Sequence, residues 1–305
     1  MSRRLLMLIN PAAGGGQTPR RWEALRTRMD RLRLKLVCEW THRPGHAIEL
    51  ARSAVDDFDA IVAVGGDGTV NEVANGILRA GRPVALGILP LGTANDAATQ
   101  LGIRSLDEAV AGLVSGVPRA FDTIEVCHGT PERRETHHAL MFAAAGFGAE
   151  LLRRTTVRVK RAFGPRLCYA VGFVRALWHY RRTHLQVRTD QGDFEGALFH
   201  VCAGNTEYAG GRLMRLSPGA RADDGFLNLC VIQRLSRFEA LRHLPKLIKG
   251  THPSHPKVRY FSGVALEVQS QPQVSLALDG DVIGTTPATF RVQPRSLQVL
   301  VPCQP

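Results

Sequence analysis

The feature that most constrains this chain is an apolar run, residues 60–64, that leads directly into the glycine-rich segment 65–72. The run has the length of a buried strand, and the Gly-Gly-Asp-Gly-Thr-Val-Asn-Glu segment enters a predicted helix. Backbone N–H groups and a helix N-terminus then point at one spot, where they favour an anion. Glycine lets the backbone approach a phosphate closely, Thr69 offers a hydroxyl, and Asp67 is a candidate for holding a divalent cation. The sequence therefore predicts a phosphate site at a strand-to-helix turn.

The first 125 residues alternate short apolar runs with helical patterns. Strands are predicted at residues 5–9, 35–40, 60–64 and 84–89, and helices at 19–32, 45–55, 70–78 and 93–101. This alternation is typical of a parallel sheet with helices on both faces, whose ligand sites lie beyond the carboxyl ends of the strands.

From about Phe121 onward the pattern changes to strands separated by turns. The predicted strands are residues 120–127, 138–144, 185–188, 197–203, 226–233, 264–268, 274–278 and 296–301. An apolar stripe at helical spacing predicts one helix, and residues 237–248 form a second. The stripe consists of Leu167, Ala170, Val171, Val174, Leu177 and Trp178. An antiparallel sandwich or barrel-like domain is expected.

Composition sets the broad class. The chain has 305 residues, 44% of them hydrophobic and 22% charged, which suits two globular domains. The six cysteines are scattered, without a CxxC pair or a Cys/His cluster at metal-ligand spacing, so neither a disulfide framework nor a zinc site is predicted. A cytoplasmic location fits best. Because no stretch approaches the roughly 20 apolar residues of a membrane span, membrane contact is expected to be peripheral.

The formal net charge of +12 indicates attraction to polyanions, namely nucleic acid, anionic lipid or phosphorylated substrates, without choosing among them. Residues 151–189 contain no acidic residue and ten cations, which predicts a basic face for an anionic leaflet. The cations are Arg153, Arg154, Arg158, Lys160, Arg161, Arg166, Arg175, Arg181, Arg182 and Arg188. Phe163, Trp178 and Tyr180 lie at headgroup level or pack in the core.

Polar or glycine-rich motifs also follow the other predicted strands of the first half. Asn10-Pro11 and Gly14-Gly15-Gly16 follow the first, Thr41 follows the second, and Pro90-Leu91-Gly92-Thr93-Ala94-Asn95-Asp96 follows the fourth. Together with the segment at 65–72, these motifs resemble the diacylglycerol kinase catalytic-domain family, which includes bacterial soluble lipid kinases and the sphingosine and ceramide kinases.

The resemblance implies an α/β plus all-β fold. Residues 1–125 would form a Rossmann-like, phosphofructokinase-like parallel-sheet domain that binds nucleotide, and residues 126–305 an antiparallel β-sandwich for the lipid, with the last strand able to return to the first domain. The active site would lie in the cleft between them, with ATP and Mg²⁺ as cofactors. The implied nucleotide-binding residues are Asn10, Pro11, Gly14, Thr41, Gly65, Gly66, Asp67, Gly68, Thr69, Val70, Asn71, Glu72, Gly92, Thr93, Asn95 and Asp96.

The resemblance continues through the second half. Its blocks are Gly146-Phe147-Gly148-Ala149, Gly204-Asn205, Gly210-Gly211, Ser217-Pro218 and Asp223-Asp224-Gly225-Phe226. It implies a magnesium site made by Asp224 and the backbone carbonyls of Arg221 and Phe226, with Asp67 and Asp96 linking that site to the nucleotide. The acceptor-activating carboxylate is expected in Leu278-Asp279-Gly280-Asp281. Asp281 replaces the family's usual Glu and is one methylene shorter, which favours Asp279 as the catalytic base, although both are candidates.

The function implied is transfer of the γ-phosphate of Mg-ATP to a lipid hydroxyl at the inner face of a membrane. Two alternatives stay open at this point. One is a kinase of a soluble substrate such as NAD, because NAD kinases share the GGDGT core; the other is a non-catalytic nucleotide- or nucleic-acid-binding protein. The acceptor could be diacylglycerol, a phosphatidyl lipid or a sphingoid alcohol. Nucleic acid is not favoured as a partner, since no known binding motif is present, and a homodimer is left open.

Overall fold

A computed structural model describes residues 3–32, 34–130, 132–155, 157–180 and 183–303. Within the helix at 157–179, the side chains of 157, 158, 160–163 and 165–167 are not described. The chain divides into two compact units. The first unit contains the residues up to Phe121 together with those from Arg295 onward, and the second unit runs from Asp122 to Pro294.

The strands, in chain order, are β1 (Arg4–Ile9), β2 (Lys35–Trp40), β3 (Ala60–Gly65), β4 (Ala85–Pro90), β5 (Val117–Thr130), β6 (Arg133–Ala139), β7 (Phe142–Gly146), β8 (His184–Thr189), β9 (Gly192–Gly196), β10 (His200–Gly204), β11 (Tyr208–Ala209), β12 (Met214–Arg215), β13 (Leu227–Ile232), β14 (Val258–Gly263), β15 (Ala265–Gln271), β16 (Ser275–Leu278), β17 (Asp281–Thr285) and β18 (Ala288–Val301). The helices are α1 (Ala13–Gly16, a single irregular turn), α2 (Thr18–Met29), α3 (His46–Ser53), α4 (Asp67–Ala80), α5 (Asp96–Gln100), α6 (Leu106–Ser115), α7 (Phe147–Arg154), α8 (Val157–His179) and α9 (Arg237–Lys249), with a 3₁₀ turn at His252–Ser254.

The first unit is built on a parallel sheet. Its strands lie in the order β2-β1-β3-β4 and pair in parallel throughout. The end of β18 adds to this sheet beside β4, where Val299 pairs with Leu86. Every residue of β3 is buried, as expected for a strand covered on both faces. The predicted parallel-sheet fold of this half is confirmed, and its four predicted strands agree with β1 to β4 to within one residue.

The helices of the first unit agree less closely with the prediction. The helix predicted at 19–32 ends at Met29, and the helix predicted at 70–78 begins earlier, at Asp67. The predicted helix at 93–101 begins only at Asp96, because Asn95 takes a left-handed conformation with φ 54°. The helix α6 was not predicted, although Ser105 accepts a hydrogen bond from the Glu108 N–H, a capping pattern that is visible in the sequence as Ser-x-x-Glu.

The second unit is an antiparallel sandwich, as predicted. One sheet has the order β14-β13-β10-β7-β16-β17, and a second antiparallel run joins the start of β18 to β15, β8 and β9. The buried core takes side chains from both, for example Val201 and Leu229 from the first sheet and Leu266 and Phe290 from the second. The hairpin β5–β6 adds Ile124 and Val126 to this core. The single strand predicted at 138–144 is wrong: β6 ends at Ala139 and β7 begins at Phe142.

The apolar stripe predicted on α8 is correct only in part. Leu177 of the stripe is buried, but Val174 and Trp178 are 44% and 58% exposed, and Phe173 and Ala176, outside the stripe, are buried. The buried face differs from the stripe because Phe173, Ala176 and Leu177 pack with Phe147 and with α9. Leu167, which belonged to the predicted stripe, lies outside the described side chains.

The predicted basic face can be followed only in part. Arg153, Arg175 and Arg188 are exposed. The side chains of Arg158, Lys160, Arg161, Phe163, Arg166, Arg181 and Arg182 lie outside the described residues. Of the predicted aromatic residues, Trp178 is exposed beneath the Arg237 guanidinium, and Tyr180 packs in an aromatic cluster. The basic face stays a prediction. Among the described residues, no helix combines the length and the apolar character needed to cross a membrane.

A buried histidine makes the second unit sensitive to acid. His252 is 6% exposed, and burial lowers its pKa from 6.5 to about 4. Between these two pH values His252 binds a proton in the unfolded chain but not in the folded chain. The contribution of His252 to the free energy of unfolding is therefore complete above pH 6.5 and is lost as the pH falls towards 4. We expect the variant His252→Gln to reduce the difference in free energy of unfolding between pH 7 and pH 4 by up to about 3 kcal/mol.

Urea unfolding of the full chain at several pH values measures this difference. His184→Gln is the matched control, because His184 is exposed and its replacement should leave the pH dependence unchanged. Burial also lowers the pKa of His200 to about 4, so some acid sensitivity persists in both variants. Equal slopes for wild type and His252→Gln would contradict the assignment.

Candidate functional site

The loops after β1 and β3 are joined by hydrogen bonds in the first unit. The Asn10 side-chain amide donates from Nδ2 to Thr69 Oγ1 at 2.9 Å, and its Oδ1 atom accepts from the Ala12 N–H at 3.0 Å. The Asn10 backbone N–H donates to the Val64 carbonyl at 3.0 Å. Asn10 therefore fixes the first glycine-rich loop against the start of α4, and Thr69 is 3% exposed.

The loop after β4 lies against the loop after β3. Leu91 N–H donates to the Gly65 carbonyl at 2.8 Å. A Cβ atom at Gly92 would collide with the Cα atom of Gly66, so neither backbone could approach the other if Gly92 carried a side chain. Gly14, at φ 59°, comes equally close, because a Cβ there would lie 2.6 Å from the Leu91 carbonyl oxygen. The three glycine-rich segments meet at one edge of the sheet.

Asn95 and Asp67 shape the turn into α5. The Asn95 Oδ1 atom accepts from the Gly92 N–H at 3.0 Å, and its amide donates to the carbonyls of Gly92 and Pro90. Asp67 Oδ1 accepts from the Ala97 N–H at 2.8 Å, at the first turn of α5. Asp96 is buried at the start of that helix. Asp67 thus stands at the start of α4 and also holds α5 in place.

Glu72 has a structural role that the sequence did not reveal. Its two carboxylate oxygens accept from the N–H groups of Gly45 and Ala47, at 2.9 and 3.3 Å, at the start of α3. Thr41, which is buried, donates its backbone N–H to the Ile9 carbonyl. The loop after β2 is thereby tied to α4.

The other predicted nucleotide residues differ in how accessible their side chains are. Val70 is 2% exposed, so its side chain packs in the core and only its backbone can serve a ligand. The Asn71 side chain accepts a hydrogen bond from Asn75 within α4. Thr93 is exposed and Pro11 is half-buried.

These loops surround the first turn of α4, which begins at Asp67. The first N–H groups of an α-helix have no partner within the helix and carry the positive end of its dipole. A Cβ atom at Gly68 would meet no atom within 4 Å, so open space lies in front of this turn. The arrangement can hold the phosphates of a nucleotide through backbone N–H groups, without a lysine.

In the second unit, Asp279 is held by the segment that separates β6 from β7. Its Oδ2 atom accepts from the Leu140 N–H at 2.6 Å, and its Oδ1 atom accepts from those of Met141 and Phe142 at 2.9 and 2.8 Å. Its backbone has φ 45° and donates to the Phe142 carbonyl at 3.0 Å. Asp281, two residues later, is exposed at the start of β17.

The predicted magnesium loop is ordered by a residue that the sequence did not single out. Asp122 Oδ2 accepts from the Gly225 N–H at 2.7 Å, and the Asp122 N–H donates to the Ala222 carbonyl at 2.7 Å. Asp224 Oδ1 accepts from the Phe226 N–H at 3.0 Å in the same loop. Carboxylate and carbonyl oxygens, the donors predicted here, are the ligands that Mg²⁺ prefers.

Asn205 connects the predicted magnesium loop to the segment that holds Asp279. It is fully buried, and its amide donates to the carbonyls of Asp122 and Leu140, both at 2.8 Å. Its backbone N–H donates to the Met141 carbonyl. The Gly204-Asn205 motif therefore gives structural support to both loops.

Comparison with known proteins identifies the family. Residues 4–126 match the family described as "Diacylglycerol kinase catalytic domain", and residues 143–301 match the "YegS C-terminal NAD kinase beta sandwich-like domain". A diacylglycerol kinase of Staphylococcus haemolyticus (strain JCSC1435) is 30% identical over 301 residues, covering 97% of this chain and 87% of that protein. The chain belongs to the diacylglycerol kinase catalytic-domain family.

Other members support the same placement. A diacylglycerol kinase of Staphylococcus aureus (strain bovine RF122 / ET3-1) is 28% identical over 307 residues, which is 99% of this chain and 93% of that protein. A crystal structure of a diacylglycerol kinase from Bacillus anthracis str. Sterne covers 98% of this chain and 97% of its own, with a TM-score of 0.70 and 19% identity. The solved structure is similar in fold. Membership in the diacylglycerol kinase family indicates a kinase, for which ATP is the phosphate donor.

The open space at Gly68 gives a test of the predicted nucleotide site. We expect Gly68→Ala to weaken ATP binding at least about tenfold, because the added methyl group projects into the space where phosphates would approach the backbone. The fold should be unharmed or slightly more stable, by up to about 1 kcal/mol, since alanine is the better helix former. Calorimetric titration with ATP and urea unfolding measure the two effects.

Gly76→Ala is the matched control inside the same helix. A Cβ atom at Gly76 would lie 2.6 Å from the Ala51 Cβ atom, so this variant should lose stability through crowding instead of through the ligand site. If Gly68→Ala binds ATP as tightly as the wild type, then the phosphates do not lie at the start of α4.

Proposed function

We propose that this protein is an ATP-dependent lipid kinase that transfers the γ-phosphate of Mg-ATP to a lipid hydroxyl. One observation carries the proposal: the glycine-rich loops that follow β1, β3 and β4 converge on the first turn of α4, in which Gly68 is exposed. Phosphoryl transfer depends mainly on positioning and on charge stabilisation, and a cradle of this kind provides both for the donor.

The donor would be held by the first unit. The N–H groups at the start of α4 would bind phosphate oxygens, with Gly66 and Gly92 allowing close approach. Asn10 and Asn95 would act indirectly, by fixing the loops. Glu72 would do the same for the loop at Thr41, since both of its oxygens already accept hydrogen bonds.

Magnesium would be held by the second unit, through the Asp224 carboxylate and the carbonyls of Arg221 and Phe226. The oxygen donor set fits this cation, and Asp122 orders the loop. When bound, Mg²⁺ supplies positive charge that offsets the charge of the phosphates. Asp67 and Asp96 are the proposed links from this charge to the nucleotide.

We assign the acceptor-activating role to Asp281 and a positioning role to Asp279. Asp279 binds the N–H groups of Leu140, Met141 and Phe142, which occupies its carboxylate and fixes the turn that presents Asp281. Asp281 is exposed and can accept the proton of a hydroxyl group. The cleft predicted from the sequence, in which donor and acceptor would meet, stays a prediction.

A lipid acceptor is supported by the relatives named diacylglycerol kinase, by the exposed cations Arg153, Arg175 and Arg188, and by the exposed ring of Trp178. The protein would act peripherally, at the anionic inner face of a membrane. Diacylglycerol is the first candidate acceptor, with other lipid alcohols as alternatives.

The experiment is a phosphorylation assay with the purified full chain. Mg-ATP labelled at the γ-phosphate is offered diacylglycerol, a phosphatidyl lipid, sphingosine or ceramide in anionic vesicles, and NAD in solution. We expect label in one lipid, with one ADP formed for each phosphate transferred. Asp67→Asn should lose activity while keeping an oxygen for the Ala97 N–H, and Asp56→Asn, an exposed ion-paired residue, should not.

Each other result argues against the proposal in its own way. Label in NAD and in no lipid would make the protein a soluble-substrate kinase. Binding of ATP without transfer to any acceptor would favour a nucleotide sensor.

A further inference from the structure

The hairpin β5–β6 brings together a group of ligand-type side chains away from the loops described above. In its register His128 pairs with Glu135, and Val126 pairs with His137. Because side chains alternate between the two faces of a strand, His128, Glu135 and His137 project from the same face. This face carries Val126 and Ile124 into the core, so the group lies where the core meets solvent.

The candidate ligand atoms of these residues are close together. His137 Nε2 lies 3.4 Å from Glu135 Oε2, and His128 Nε2 lies 4.0 Å from the same oxygen. One atom from each residue falls within 4.8 Å of the others. The two imidazole rings are stacked, with centroids 5.3 Å apart and planes 9° from parallel.

His128 Nε2 is buried and has no hydrogen-bond partner. The residue is only 7% exposed, and a separation of 4.0 Å from Glu135 is too long for a hydrogen bond. Leaving a buried polar atom unpaired costs free energy, so native structures usually give such an atom a partner. A cation between His128 and Glu135 would be such a partner.

The orientation of His128 is set by a glycine on β17. A Cβ atom at Gly284 would lie 2.6 Å from the His128 Nδ1 atom, so the imidazole ring rests directly on the Gly284 backbone. The ring packs against this backbone, and its Nε2 atom lies 4.0 Å from Glu135 Oε2.

The donor set selects the kind of ion. Two imidazole nitrogens and one carboxylate oxygen suit Zn²⁺, whereas Mg²⁺ and Ca²⁺ prefer oxygen alone. Tetrahedral Zn²⁺ with bonds of about 2.0–2.1 Å places its ligand atoms about 3.4 Å apart. The 3.4 Å pair already meets this spacing, and the side chain of Glu135, which is 66% exposed, can turn to shorten the 4.0 Å separation.

We propose that His128, Glu135 and His137 bind one Zn²⁺ ion, with water in the fourth position. The site shares no residue with the predicted magnesium loop at Asp224. The sequence had predicted no zinc site, because spacing along the chain does not show which residues face each other across a hairpin. The bound ion would clamp β5 to β6 and hold His128 against β17.

Cobalt titration of the chelator-treated full chain tests the proposal, because Co²⁺ in such a site absorbs visible light and Zn²⁺ displaces it. We expect one equivalent of Co²⁺ with the intense absorption of tetrahedral coordination, bleached by one equivalent of Zn²⁺. In Glu135→Gln and His137→Gln the affinity for Zn²⁺ should fall by at least about 100-fold, because losing a direct ligand lowers metal affinity more than losing a residue that only hydrogen-bonds a ligand. Zn²⁺ should also raise the melting temperature of the wild type and of neither variant.

His184→Gln is the matched control. His184 and Glu195 form an exposed pair across another hairpin, at 3.0 Å, so this variant should bind Zn²⁺ like the wild type. His128 is buried, and the test therefore relies on the more exposed Glu135 and His137, whose replacement should leave circular dichroism unchanged. The proposal is overturned if the wild type binds no stoichiometric Zn²⁺, or if both variants bind it as the wild type does.

Discussion

Replacing Asp281 with asparagine is expected to lower kcat for lipid phosphorylation by about 10²–10⁴-fold, the usual contribution of a general base. The amide cannot take a proton from the acceptor hydroxyl at neutral pH. Because Asp281 is exposed at the first position of β17, the free energy of unfolding should change by less than about 1.5 kcal/mol, the upper range for one hydrogen bond. Steady-state kinetics with the best lipid acceptor, together with urea unfolding, measure both quantities.

Two further variants sharpen this expectation. Asp281→Glu restores the longer side chain that the family usually carries. It should keep kcat within about tenfold of wild type, because a carboxylate at this position can still accept the hydroxyl proton. Asp193→Asn, an exposed carboxylate on β9, should leave kcat unchanged. If Asp281→Asn keeps full activity, then another group accepts the proton.

The sequence analysis favoured Asp279 over Asp281 because the Asp281 side chain is one methylene shorter than the glutamate usual in the family. The hydrogen bonds that occupy Asp279 come from Leu140, Met141 and Phe142, and Leu140 lies 139 positions earlier in the chain. No local pattern shows such a contact. The same bonds end β6 at Ala139 and start β7 at Phe142, so the apolar run at 138–144, which suits one strand, forms parts of two.

The parts of the fold that could be predicted depend on short-range signals. The strands β1 to β4 are apolar runs that end at polar or glycine-rich turns, and each was located to within one residue. The predicted start of helix α5 is too early, because the helix begins only after Asn95, whose φ is positive. The buried face of α8 depends on Phe147 and α9, which are distant in sequence, so helical spacing alone placed Leu177 correctly but Val174 and Trp178 wrongly.

The predicted nucleotide loops are brought together as expected, but several roles within them depend on tertiary contacts. Glu72 serves the start of α3, and Asp67 serves the start of α5. Asp122 and Asn205 support the second-unit loops through hydrogen bonds that join segments far apart in the chain. Sequence motifs therefore showed which loops meet, whereas the hydrogen bonds that make some of their residues supports for neighbouring loops required the structure.

Replacing Asp279 with alanine is expected to destabilise the second unit by about 3–5 kcal/mol. The carboxylate accepts from the N–H groups of Leu140, Met141 and Phe142, residues that are at most 7% exposed, and an unpaired buried donor costs about 1–3 kcal/mol. Alanine also tolerates φ 45° less well than aspartate, which adds about 1 kcal/mol. Urea unfolding, followed by probes in each unit, measures the loss.

Asp279→Gly separates the two causes. Glycine adopts φ 45° without strain but, like alanine, leaves the N–H groups unpaired, so most of the loss should persist in this variant. Asp281→Ala, two residues away and exposed, should unfold within about 1.5 kcal/mol of wild type, well below the loss expected at Asp279. If Asp279→Gly is as stable as wild type, the N–H groups find other partners, and Asp279 then does not hold the turn. If Asp279→Gly is destabilised while Asp281→Ala is stable and inactive, the two carboxylates have separate tasks, one in positioning and one in proton transfer.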